Sequence, residues 1–118
     1  MKIFHKKKLI ANKVKLCDAF FSKSKGLMFS RRLRKRDALI FVADREGRME
    51  TTIHMFFVFF AIDVVWLDKD KKVVDKRENI KPFTPLIIPE KPAEYVVELP
   101  KNTARHINRG DILKFVDR

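Results

Sequence analysis

The stretch Ile53 to Asp68, IHMFFVFFAIDVVWLD, is the tightest constraint in this chain, because a run this apolar has few places to go. A membrane-crossing helix needs about 20 consecutive apolar residues. Here Asp63 interrupts the run and Asp68-Lys69-Asp70-Lys71-Lys72 closes it. Read as extended chain, it puts Phe56, Val58, Phe60 and Ile62 on one face and Phe57, Phe59 and Ala61 on the other, so both faces need cover. The run therefore predicts core strands in a soluble domain. One ends near Phe60-Ala61 and the next spans Ile62 to Leu67, with Asp68 to Lys71 as a hairpin turn into Lys72 to Lys76.

Period-two segments dominate elsewhere too. Leu9 to Leu16 reads as a strand, followed by a short helix capped by Asp18, with Phe20, Phe21, Leu27 and Met28 on one face and Gly26 at or near its end. A basic loop leads to a strand over Ala38 to Ala43 and a turn over Asp44 to Arg48. Pro82, Pro85, Pro89 and Pro92 make Lys81 to Ala93 irregular, since proline cannot donate to a ladder. Strand Glu94 to Leu99, a short helix around Lys101 to Ile107, and strand Ile112 to Val116, entered through Gly110-Asp111, complete the reading. The expected fold is mainly β: a small bent or closed β-barrel of about seven short strands with two short helices. At 118 residues it is expected to be one domain, with 1–8 a basic N-terminal segment read as a flexible tail.

The net charge of +12 is polarised. Met1 to Arg36 holds thirteen Lys or Arg against one acid, Asp18, while the rest of the chain has fourteen of each sign. The densest part is Arg31-Arg32-Leu33-Arg34-Lys35-Arg36, then Lys6-Lys7-Lys8. Arg31, Arg32, Arg34, Lys35 and Arg36 are therefore the candidates for contact with nucleic acid or another anionic partner. The competing reading is a solvated face that confers solubility. A single cysteine, Cys17, read as a small buried strand residue, suits a reducing compartment. The basic N-terminus enters no long apolar region, so the expected setting is cytoplasmic, without a membrane. Absence of glutamine with 36% charged residues gives a thermophile-like composition.

The order of landmarks resembles a known family. A helix ending in Gly26-Leu27-Met28, an aromatic strand with Phe41, His54-Met55 leading to Ile62-Asp63, the acidic hairpin Asp68 to Lys71, Glu98-Leu99 and the terminal Gly110-Asp111 resemble domain of unknown function 192 over roughly Leu9 to Val116. The resemblance implies a mainly β domain without an established activity. Where that family often shows Trp-Met-Lys-Asn-Thr before Pro-Leu-Asp, this chain has His54-Met55-Phe56-Phe57-Val58 and Ala61-Ile62-Asp63, so polar groups are replaced by apolar ones.

Asp63 shares a strand face with Val65 and Leu67, and a buried carboxylate must find donors. Backbone amides of the Gly26-Leu27-Met28 turn or of a neighbouring loop are the structural expectation, and a catalytic or ligand-binding carboxylate, paired with His54, is the alternative. Met28, Phe41, His54 and Met55 are the candidates for an apolar ligand pocket. His5, His54, His106 and Cys17 have no metal-ligand spacing, so neither metal nor cofactor is expected. Glu98 and Asp111 are further carboxylates, and Arg109-Gly110-Asp111 reads as a turn. Three glycines leave no phosphate loop, and there is no nucleophile elbow. The leading expectation is a non-enzymatic binding protein for a small ligand or a macromolecular partner. Nucleic-acid binding through the basic first third and an unrecognised enzyme using Asp63 and His54 are the alternatives.

Overall fold

A computed structural model of the chain describes residues 1–18, 33–53, 55 and 58–117. Eight strands are found among them: β1 (Lys2–His5), β2 (Lys8–Ala11), β3 (Lys13–Asp18), β4 (Asp37–Gly47), β5 (Ile62–Leu67), β6 (Val73–Ile80), β7 (Ala93–Pro100) and β8 (Leu113–Val116). They form two sheets, one of three strands in the order β2-β1-β8 and one of five in the order β3-β4-β7-β5-β6. All pairings are antiparallel except β3 with β4, which is parallel.

β5 is the centre of the core. Every one of its residues is buried, and its β-branched and aromatic side chains suit a pleated surface covered on both sides. Ile62, Val64 and Trp66 point to one face, joined by Leu39, Phe41 and Val96. Ile53, Met55, Val58 and Ile87 from the irregular segments cover that face. Val65 and Leu67 point the other way with Ala38, Ile40, Val97 and Leu99, under Ile3, Ala11 and Leu113 of the small sheet and Ala104 and Ile107 of the turn after β7. Each large apolar side chain so enclosed contributes about 1.5–3 kcal/mol.

Several expectations change, among them the turn expected over Asp44 to Arg48, where β4 instead continues to Gly47, and the single strand expected over Leu9 to Leu16, which is divided between β2 and β3. The barrel is not closed: β3 and β6 are the two edges of an open five-stranded sheet, whose faces are hidden by separate layers. The helix expected over Lys101 to Ile107 is a pair of turns, closed by Thr103 N to Pro100 O (3.2 Å) and Ile107 N to Ala104 O (3.1 Å). Asn102 sits at φ 72°, outside the right-handed helical region, and both closing bonds span three residues where an α-helix needs four. The other expected helix, Asp18 to Met28, lies almost wholly outside the described residues, and no helix occurs among those described.

The N-terminal segment is not a loose tail, because Ile3 is fully buried and β1 is the middle strand of its sheet. Finally, the described residues between Ile53 and Phe60 form no strand. Ile53 makes one bridge to Ile87, Met55 exchanges hydrogen bonds with Phe83 and Thr84, and Phe59 is 59% exposed with its ring edge-on to Phe83. The Asp68 hairpin stands as expected, with Oδ1 of Asp68 accepting from the amides of Asp70 and Lys72. No helix among the described residues is long and apolar enough to cross a membrane.

Candidate anion-binding pocket

Three corners of the backbone build the basic face. β1 and β2 are joined by the two residues Lys6 and Lys7, both in the left-handed region at φ 50° and 67°. That mirror-image turn matches the twist of a hairpin but favours Asn and Gly, so two lysines there hold some strain. It delivers Lys8, exposed, to the start of β2. The second corner is Arg34 to Asp37, where the Arg34 amide donates to Asp37 Oδ2 at 2.8 Å. Arg36, at φ 73°, uses its carbonyl to accept from the amides of Asn12 (3.1 Å) and Lys13 (3.0 Å), and its guanidinium donates to the Leu9 carbonyl. Lys35 is left exposed at the tip. The third corner is the turn after β7, with left-handed Asn102, Thr103 and His106.

These corners surround a pocket of about 330 Å³ lined by the cations Lys8, Lys35 and Arg36. The imidazoles of His5 and His106, the polar groups of Asn102 and Thr103, and an apolar wall of Leu9 and Ile10 complete it. Among the described residues no carboxylate lines it. Three cations beside short polar donors favour an anion with several oxygens, such as a phosphate group. His5 is held in place from behind, where its Nε2 is 2.8 Å from Asp111 Oδ2.

The residues singled out from sequence are dispersed. Lys35 and Arg36 line the pocket, whereas Arg34 is exposed beside it. Arg31, Arg32, Met28 and His54 lie outside the described residues. Phe41 and Met55, expected in an apolar ligand pocket, are instead packed in the core beside Trp66 at 2% and 1% exposure. Asp63 is fully buried, with Oδ1 accepting from the Asn79 amide and Oδ2 from the Ala104 amide, each at 2.8 Å. Both oxygens are thus engaged by backbone, tying β5 to β6 and to the turn beside the pocket. Among the described residues no three His, Cys, Asp or Glu side chains converge as a metal site. Lys8 was legible as part of a charge run, but Asn102, Thr103 and His106 carried no local mark.

The family model DUF192, described as Uncharacterized ACR, matches residues 1–115. The chain belongs to the DUF192 family. Similar proteins include a UPF0127 protein of Thermococcus kodakarensis, 38% identical over 105 residues, covering 87% of this DUF192 chain. The chain spans 64% of that relative's own length. A UPF0127 protein of Pyrococcus furiosus is 37% identical over 112 residues, covering 93% of this chain and 92% of the relative. Two crystal structures share the fold. One, of a protein of unknown function from Novosphingobium aromaticivorans DSM 12444, has a TM-score of 0.79 at 20% identity over 97% of this chain and 82% of the other. The second, from Sinorhizobium meliloti 1021 and described as a candidate transcription regulator, has a TM-score of 0.78 at 22% identity, covering 86% and 79%.

Two acids of this DUF192 chain link its stability to pH. Burial of Asp75 pushes its carboxyl up, but the Glu90 amide, Arg109 and the Lys76 amide outweigh it and hold the group below the ordinary carboxylate range. The Asn108 amide and then the His5 side chain do the same for Asp111. A carboxyl depressed in the folded state stabilises above its unfolded pKa of about 3.9, and that contribution is lost as pH falls through the lower folded value. The melting temperature should therefore drop as pH is taken from about 5 to about 2, with a shallower drop in Asp75→Asn and Asp111→Asn. Equal slopes in thermal melts of all three proteins would contradict the assignment.

Proposed function

We propose that this chain is a non-enzymatic binding domain that takes the phosphate backbone of a nucleic acid on its basic face, without reading sequence. The observation that carries this reading is the convergence of Lys8 and of Lys35 and Arg36, from two separate segments, on one pocket lined by no carboxylate among the described residues. The segregation of thirteen Lys or Arg into the first 36 residues supports a polyanion over a small anion. Arg31, Arg32 and Arg34 extend the same charge run. The likeness to the Sinorhizobium structure is one of fold, and a fold hosts many functions.

Counterion release gives the test. If the three lining cations each neutralise one phosphate, a log–log salt slope of roughly −2.7 on duplex DNA follows, so binding weakens about 40-fold between about 50 and about 200 mM salt. Lys8 and Lys35 are the positions to change, since Arg36 also anchors the corner between β2 and β3. Anisotropy titrations of Lys8→Ser/Lys35→Ser should show the slope flattened by roughly 1.8 units and equal weakening on unrelated sequences. No binding by micromolar native protein at low salt would leave the charge as a solubility feature.

A further inference from the structure

Across the Lys6-Lys7 turn lies a second depression, of about 540 Å³, on the outer face of the small sheet. Ile3 and His5 are buried beneath β1, so the alternation of the strand turns Phe4 outward, opposite Lys114 of β8. Phe4, Ile112 and Val116 make an apolar floor, and Lys6, Lys7 and Lys114 stand around it. Ile112 is 61% exposed and, beside Phe4 and Val116, makes the exposed apolar surface contiguous. An apolar floor with a rim of lysines asks for a ligand that is anionic along one edge and flat or apolar along another.

The turn itself says which. Of the consecutive residues His5-Lys6-Lys7-Lys8, the outer two line the basic pocket and the inner two line this groove. A polyanion crossing the turn therefore meets cations on both sides and an aromatic ring on one. A base offers its ring face to such an aromatic side chain, but only when it is not already stacked in a duplex. We infer that the ligand is single-stranded nucleic acid, its backbone crossing Lys6, Lys7 and Lys8 and one base lying on Phe4. This rests on the nucleic-acid reading above and adds the strand preference and the residue that produces it.

Anisotropy titrations with a labelled single-stranded oligonucleotide and its duplex, at about 50 mM salt, test it. The native protein should favour the single strand, and Phe4→Leu, which keeps the floor apolar, should weaken single-strand binding about tenfold and leave duplex binding unchanged. Phe4→Tyr should bind as the native protein does. A second variant gives a direct readout: emission from Phe4→Trp should be quenched by the single strand, against a background from the buried Trp66. Equal binding of both oligonucleotides, unchanged by Phe4→Leu and without quenching, would overturn the inference and leave the nucleic-acid reading intact. Binding to neither oligonucleotide overturns both. Sedimentation with phosphatidylglycerol vesicles, lost in Phe4→Leu, would overturn it in favour of a lipid surface if oligonucleotide binding is absent.

Discussion

Trp66→Ala should lower the free energy of unfolding by about 5 kcal/mol, a large part of the roughly 5–15 kcal/mol available to a domain. The indole is fully exposed to protein and not at all to solvent, packed on the face of β5 that also holds Val64, Phe41 and Ile53. Removing it leaves a cavity that the flanking strands of the sheet cannot collapse to fill, at a cost of about 3–5 kcal/mol. Its Nε1 also donates to the Thr51 carbonyl at 2.8 Å. That bond pins the segment after β4 over the sheet, and an orphaned buried acceptor costs about 1–3 kcal/mol more. Trp66→Phe separates the two effects, since it keeps most of the volume and loses the bond. Urea melts followed by circular dichroism should rank native, Phe and Ala in that order. A loss under about 1 kcal/mol for the alanine variant would mean that β5 is not the centre of the core.

Asp63→Ala should cost about 3 kcal/mol, because it leaves the buried amide of Ala104 without an acceptor, at about 1–3 kcal/mol, and also removes the acceptor of the part-buried amide of Asn79. Asp63→Asn should cost about half as much, since its one carbonyl oxygen satisfies one amide while its NH2 faces the other. Hydrogen exchange gives an independent check. The Asn79 and Ala104 amides should exchange faster in both variants, while those in the middle of β7 follow only the global loss of stability. Unchanged melting in both variants would show that the carboxylate is solvated. Because Ala104 belongs to the turn that carries Asn102 and Thr103, the same substitution should also loosen one wall of the basic pocket.

Asp63 marks where sequence reasoning succeeds and where it stops. Its burial followed from sharing a strand face with Val65 and Leu67, which local alternation reveals. Its partners did not, as they lie 16 and 41 residues away and donate from backbone, which has no side-chain signature. β5 and the Asp68 hairpin were legible because pattern and turn chemistry agree there. The strand expected before Ile62 is not found among the described residues because the apolar alternation there continues that of β5, while the backbone bonds of Ile53 and Met55 go to the proline-rich segment at Phe83, Thr84 and Ile87. β1 was misread for the opposite reason: Lys2, Lys6, Lys7 and Lys8 hide the inward pair Ile3 and His5. The pocket was illegible as a unit, since no local pattern tells that 8, 35 and 103 meet.

The pairing of β1 with β8 bears on how the chain assembles. Lys2 lies opposite Val116 and His5 opposite Leu113, so β1, the first of the described strands, waits for β8, the last of them. The β1–β2 hairpin closes locally, but it has no second neighbour, and Ile3 has no finished cover, until β8 has been made. Contacts of that separation slow folding, because loop closure must be met before burial compensates for it. Refolding should thus be slow and should depend on Leu113, whereas joining the two ends and reopening the chain at the exposed Asp70 should speed it without altering either basic site.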